Sequence, residues 1–253
     1  MLKSFSRIFL FLWTVVCLGQ NEAVSPKQKD TITRKYAYGL RIGIDLSRPV
    51  LSFADDTYTG FEIVGDFRLT DKWFLAAELG NEDRTQDEDL SGDVLYEYNT
   101  SGSYIKAGAD YNTYSNWYGM RNQITVGGRY AFSTFSQTLN NFNFYNSNRL
   151  LSPEGLVVGS TEEIQFESLT ASWLEFVVGL KAELFANIYV GMSIRLGHLV
   201  TNTDPDNFRN LWIPGFNKVT ENSKWGVGYN YSLSYFIPLY RKVKKKEETP
   251  TTE

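Results

Sequence analysis

Very few groups in this chain could do covalent or metal chemistry. It has one histidine, His198, and one cysteine, Cys17. Serine-based hydrolysis requires a histidine base beside the nucleophile and a third polar group to orient it. The stretch Gly197-His198-Leu199-Val200 has no serine two residues beyond the histidine. Acid pairs such as Glu175 with Glu183, or Glu62 with Asp66, could in principle share a proton, but neighbouring bases explain them as ion-pair partners. No His/Cys cluster has metal-ligand spacing. The acidic run at residues 82–89 lacks the fixed spacing of a calcium loop and reads as a solvated segment. The expectation is therefore no catalytic residue, no metal and no cofactor.

The charges are instead organised by alternation. In Tyr36-Ala37-Tyr38-Gly39-Leu40-Arg41-Ile42-Gly43-Ile44-Asp45-Leu46, one parity is apolar or aromatic and the other is glycine, alanine or charge. Successive side chains of a strand point to opposite faces, so such a segment has one greasy and one polar face. The pattern recurs at about residues 36–47, 59–69, 73–81, 103–112, 122–134, 171–184, 188–200 and 225–239. Eight such strands predict an all-β fold, an eight-stranded up-and-down antiparallel transmembrane β-barrel. Ten strands remain an alternative, through residues 93–98 and one segment of the long connection at 137–166.

Alternation alone does not say which face is inside, because a soluble lipocalin-like barrel would line its cavity with the apolar parity. Three features favour an apolar exterior. Glycines such as Gly39, Gly43, Gly108, Gly127, Gly179 and Gly191 crowd the charged parity, where a small barrel wall must curve around packed side chains. Aromatics gather at strand ends, at Tyr36, Tyr38, Trp73, Tyr111, Trp117, Tyr118, Tyr235 and Tyr240, as in an interfacial girdle. Short turns lie at one end and long connections at the other, so both termini fall on the short-turn, periplasmic side. The lumen then holds Arg41, Asp45, Glu62, Asp66, Arg68, Glu78, Lys106, Asp110, Arg129, Glu175, Lys181, Glu183 and Arg195. In an eight-stranded barrel the interior is just wide enough for side chains, so these charges should pair into a plug. By parity His198 faces outward near the rim.

Residues 1–19 read as a secretory signal peptide. Lys3 and Arg7 precede an apolar stretch, and Cys17 and Gly19 supply the small residues of a cleavage site. Val16 before Cys17 argues against a lipoprotein signal. Removing the leader takes away two bases and no acid, moving the formal charge from −4 to −6. Neither a basic excess nor a basic aromatic patch points to nucleic acid. Residues 20–35 read as a polar lead-in, 36–240 as the barrel and 241–253 as a charged periplasmic tail. In the last long connection, Trp212, Pro214 and Phe216 suit either a loop folded onto the rim or a partner-binding spot.

Residues 38–47, 60–66 and 77–80 resemble an uncharacterised (domain of unknown function) family of Bacteroidota outer-membrane β-barrel proteins. Gly179-Leu180-Lys181, Asn187-Ile188, Ile213-Pro214-Gly215-Phe216 and Leu233-Ser234-Tyr235-Phe236-Ile237-Pro238-Leu239 carry the same likeness. It spans most of residues 36–239 and implies an outer-membrane location without implying any chemistry. The resulting expectation is a monomeric, porin-like barrel of the Gram-negative cell envelope in contact with outer-membrane lipid and lipopolysaccharide. Its role would be non-enzymatic, structural or binding, with an envelope protein as a possible partner for the external loops. A narrow channel is the alternative, followed by a lipid-modifying enzyme or a soluble carrier.

Overall fold

The structure, a computed structural model, describes residues 35–90, 93–114, 121–145, 156–160, 163–205, 209–219 and 223–243. The expected leader and nearly all of the lead-in lie outside these residues, as do the tail beyond 243 and the girdle residues Trp117 and Tyr118. Each alternating segment forms a strand. The elements are β1 (Lys35–Asp45), α1 (Ser47–Ala54), β2 (Tyr58–Arg68), β3 (Trp73–Leu90), β4 (Asp93–Asn112), β5 (Gln123–Tyr145), β6 (Leu156–Ser160), β7 (Ile164–Phe185), β8 (Ile188–Asn202), β9 (Trp212–Ile213), β10 (Asn217–Lys218) and β11 (Trp225–Val243).

Strands β1, β2, β3, β4, β5, β7, β8 and β11 pair in that order, each antiparallel to the next. The pairing of β1 with β11 closes the ring. The ring therefore has eight members. The ten-strand alternative fails because the 93–98 segment extends β4, and β6 pairs only with the far end of β5. Lys35 lies opposite Val243, so both ends of the barrel chain emerge at the short-turn end.

The faces are as the alternation predicts. Phe61, Ile63, Leu75, Leu79, Ile105, Leu174, Phe176, Ile194 and Val227 are exposed on the outside. Arg41, Glu62, Asp66, Glu78, Lys106, Asp110, Arg129, Glu175 and Arg195 are buried inside. An apolar cavity of the soluble-carrier kind is thereby excluded. The inward glycines sit where neighbouring backbone comes close: a Cβ on Gly108 would lie 1.9 Å from the carbonyl oxygen of Gly128. One girdle residue departs from its expected face. Tyr38 is buried beside a bulge that places one extra residue, Leu239, on β11, and it stacks on Tyr240 with its hydroxyl 3.1 Å from Asp71.

The apolar belt ends abruptly. Moving toward the long-loop end, Phe61 is followed on its face by Thr59, Leu79 by Asn81, Ile105 by Ser103 and Phe132 by Thr134. Yet β3, β4, β5 and β7 run for 18, 20, 23 and 22 residues. A spanning strand needs only about 9–11. Much of what reads as loop at 81–102 and 137–166 is thus strand continuing beyond the belt. Its backbone ladder persists, but both faces are polar enough that no hydrophobic alternation marks it. The connection after β1 also contains a helix, α1, too short to announce itself by periodicity.

A charge placed on the belt near mid-height should be costly and one above it should not. Ile194→Lys is expected to destabilise the folded barrel by about 2–4 kcal/mol. Thr134→Lys should change stability by less than about 1 kcal/mol. Urea unfolding in lipid vesicles checks both.

Candidate functional site

The lumen is packed in layers. Toward the short-turn end, the Arg41 guanidinium lies 4.4 Å from the Tyr189 ring centroid, with Asp66 and Gln123 each 3.2 Å from its Nη2. Lys181 also reaches Asp66, at 2.6 Å. In the middle layer Glu78 accepts from Arg195 and lies 3.4 Å from Arg129, which pairs with Asp110 at 2.8 Å. Arg195 is also 3.4 Å from Glu175. Glu175 accepts from Lys106 Nζ at 2.8 Å and from the Trp173 indole at 2.7 Å. Inward residues from five strands of the ring, β3, β4, β5, β7 and β8, therefore converge on one chain of alternating charge. Isolated buried ions are very costly, and this alternation is what allows so many to be buried together.

Above the ions the long connection after β8 turns into the barrel. The β9–β10 hairpin places Ile213 and Phe216 among Tyr104, Phe135, Leu169, Trp173 and Leu199. Gly215 sits at its tip with φ of +82°, and a Cβ there would lie 2.6 Å from the Tyr104 ring. Its N–H donates to Glu82 at 3.1 Å and its carbonyl accepts from Lys106 at 3.0 Å. Phe216 meets Trp173 edge to face, and Gly197 and Gly226 leave room for its ring. Neither the rim nor the partner-binding reading of Trp212, Pro214 and Phe216 describes the segment, which enters the lumen itself. Pro214 and Phe216 are buried in the lumen, and Trp212 is half-buried beneath Arg84. The docking-spot reading is corrected for Pro214 and Phe216, because burial inside the wall leaves them no face for a partner.

Three of the expected lumen residues lie at the ends of the barrel. Arg68 is at the short-turn end, 3.5 Å from Asp71 and 3.3 Å from the Ala37 carbonyl oxygen. Glu183 accepts the Asn187 N–H across the β7–β8 turn, at 3.1 Å. Asp45 is at the opposite mouth, accepting from Ser47 and from the backbone N–H of Tyr231. The long-loop mouth also holds two further charges, Arg48 and Glu82, and Glu82, read from sequence as part of a solvated acidic run, is instead fully buried. Arg48 of α1 pairs with Glu82 of β3 at 2.8 Å. Extending the inward parity of β3 past Glu78 and Gly80 would have found Glu82, whereas Arg48 sits in a helix with no parity to extend. The uncharged partners Tyr104 and Asn230, which donate to Glu62 at 2.6 and 3.0 Å, carry no charge signal either.

One cavity of about 50 Å³ lies among Arg41, Asp66, Arg129, Lys181 and Arg195, and one of about 20 Å³ lies beneath Phe216. A water requires roughly 10–15 Å³, so each of these spaces has room for only a few waters. His198 is on the outer face, 4.6 Å from the Trp225 ring and edge-on to it. Beyond the belt, hydrogen bonds from the hydroxyl and N–H of Thr57, together with Arg84 at 2.6 Å, hold the Asp55 carboxyl below its usual range. Whatever stability this contributes is present above the ordinary carboxylate range and is lost as pH falls through the lowered value.

An eight-stranded antiparallel ring with an apolar outer belt and an ion-filled lumen defines a transmembrane β-barrel. Within that class, the chain belongs to the family described as domain of unknown function DUF6048, which matches residues 1–242. No curated protein matches it. Among solved structures it is similar to the crystal structure of CarO from Acinetobacter baumannii, with 12% identity and a TM-score of 0.39. That alignment covers 80% of this chain and 98% of CarO.

Two substitutions test the packing of the lumen. Lys106→Met leaves Glu175 and the Gly215 carbonyl without their shared donor, and should cost about 3–5 kcal/mol in urea unfolding. Adding Glu175→Gln should cost less than the sum of the two single changes. Gly215→Ala forces a side chain into a positive φ and against Tyr104, and should cost at least about 1–2 kcal/mol. Hydrogen exchange in that variant should rise in residues 211–219 before it rises in the ring strands.

Proposed function

We propose that the protein is a sealed, non-enzymatic barrel of a Gram-negative outer membrane, with both termini periplasmic. Its work is done by the strand extensions beyond the belt. The observation that carries this reading is the double closure of the lumen. An ionic layer fills the bore at mid-height, and the β9–β10 hairpin fills the mouth above it. A solute path would require both to move. What remains accessible is the β3–β4 hairpin and the long ends of β5 and β7, a polar platform suited to a structural or binding role with an envelope partner. The likeness of its strand motifs to a Bacteroidota family supports this placement. On the same reading the protein acts as a monomer and touches outer-membrane lipid and lipopolysaccharide along its belt.

A narrow channel is the second reading, and one observation favours it. The plug is a separate hairpin whose tip backbone is held by two side chains, Glu82 and Lys106, and such a segment could be withdrawn. Planar-bilayer recording decides between the two. The wild-type barrel should show no steady conductance, and neither should a variant lacking residues 211–219, because the ionic layer still fills the bore. Steady current in the wild type would establish the channel. Current in the deletion alone would make the hairpin its gate.

A further inference from the structure

The barrel wall has a notch. On one side β11 pairs with β1 only as far as Ser232 opposite Asp45, yet it continues to Trp225 against β8. On the other side β2 pairs with β1 only from Ile63 to Phe67, yet it continues to Tyr58 against β3. Above the end of β1, residues 58–62 and 225–231 therefore face each other without a strand between them. Unpaired strand edges are not tolerated toward lipid, where no water satisfies their amides and carbonyls.

Helix α1 fills this notch, and side chains replace the missing ladder. The Ser52 hydroxyl accepts the N–H of Gly60 on β2 at 2.9 Å. Asp45 accepts the N–H of Tyr231 on β11, and the Tyr231 carbonyl accepts from the N–H of Leu46 at 2.6 Å. Arg48 projects inward to Glu82. The opposite side of the helix is apolar and bare. Leu46, Val50 and Phe53, spaced i, i+4 and i+7 on one face, are 37, 63 and 91% exposed.

The location of that face identifies its occupant. Leu46 is the next outward position after Ile42 and Ile44, one rung above the pairing of Ile44 with Ile63, and so level with Phe61 at the belt's upper edge. The neighbouring outer surface of β11 carries the paired rings of Tyr229 and Tyr231, an aromatic edge of the kind that marks a bilayer interface. On β2, β3, β4 and β5 the outer surface turns polar at this height, whereas on β11 it stays apolar through Val227 and Trp225, so the apolar face of α1 is continuous with the belt on that side and out of place in water. We propose that α1 is an interfacial helix, lying in the outer leaflet with Leu46, Val50 and Phe53 against lipid and sealing the notch from that side. The proposal rests on the membrane-barrel reading. It also links lipid to plug, since Arg48 on α1 holds Glu82, and Glu82 holds the tip of the β9–β10 hairpin.

A nitroxide on Phe53→Cys, in the full chain with Cys17→Ser, tests this after reconstitution into phosphatidylcholine–phosphatidylglycerol vesicles. Collisional relaxation by oxygen, which concentrates in lipid, is compared with relaxation by a water-soluble nickel chelate. Leu79→Cys on the belt and Asp87→Cys beyond it are the references. The expected result places position 53 with position 79, favouring oxygen. Position 53 behaving like position 87 would overturn the proposal while leaving the barrel reading intact. Protection from both reagents would overturn it in favour of a protein contact or a second copy. If position 79 itself favours the nickel chelate, the membrane reading fails first.

Discussion

Burying ions in a bore too narrow for bulk water imposes one requirement, that every charge have a partner at contact distance, an opposite charge or a hydrogen-bond donor. Eight strands leave room for side chains and little else. The inward parity of this chain nevertheless carries acids and bases on nearly every strand. Six of them form one chain, from Asp110 through Arg129, Glu78, Arg195 and Glu175 to Lys106; Arg41, Asp66 and Lys181 form a second cluster, and Glu62 is held by the neutral donors Tyr104 and Asn230. Each link joins different strands of the ring, so the charges tie the wall across the lumen as the ladders tie it around the circumference. Such networks are not necessarily more stable than an apolar core of the same shape. Their clearer consequence is that removing one partner strands another.

The same requirement organises the mouth. Lys106 has more donors than Glu175 can use, and the Gly215 carbonyl accepts one of them. Glu82 is held by Arg48 and in turn accepts the Gly215 N–H. The hairpin is therefore held as part of the ionic network as well as by the packing of Ile213 and Phe216. Its entry also depends on residues that are absent. Gly197 and Gly226 leave space for the Phe216 ring, and Gly215 allows a backbone conformation that side chains disfavour.

Parity made most of this legible. Alternation identified the eight ring strands and their faces; of the thirteen expected lumen charges six form the central chain, Arg41, Asp66 and Lys181 a second cluster, Glu62 accepts from neutral donors, and three lie at the barrel ends. Short turns at Asp71 and Asn187 marked one end. The failures share a cause. Beyond the belt the strands face water on the outside, so polar residues occur on both parities and the extensions of β3, β4, β5 and β7 read as loop. Tyr38 was assigned to the outer face by parity, yet it is buried beside the bulge in β11 and hydrogen-bonded to Asp71. Arg68 and Glu183 have the right parity but sit too near the turns to reach the centre.

The sequence by itself determined the class of the molecule, because a strand's two faces are written one residue apart and the environment of each face selects its residues. It did not determine which charge meets which, since partners such as Lys106 and Glu175 are far apart along the chain and become neighbours only when the ring closes. Nor did it determine where Leu211 to Val219 goes. An apolar Pro-Gly segment is equally suited to a rim and to a lumen, and only the space left by Gly197, Gly226 and the free donor of Lys106 sends it inside. The notch and its helix were likewise decided by tertiary structure. A strand shorter than both its neighbours is a relation among three segments, and no one of them shows it alone.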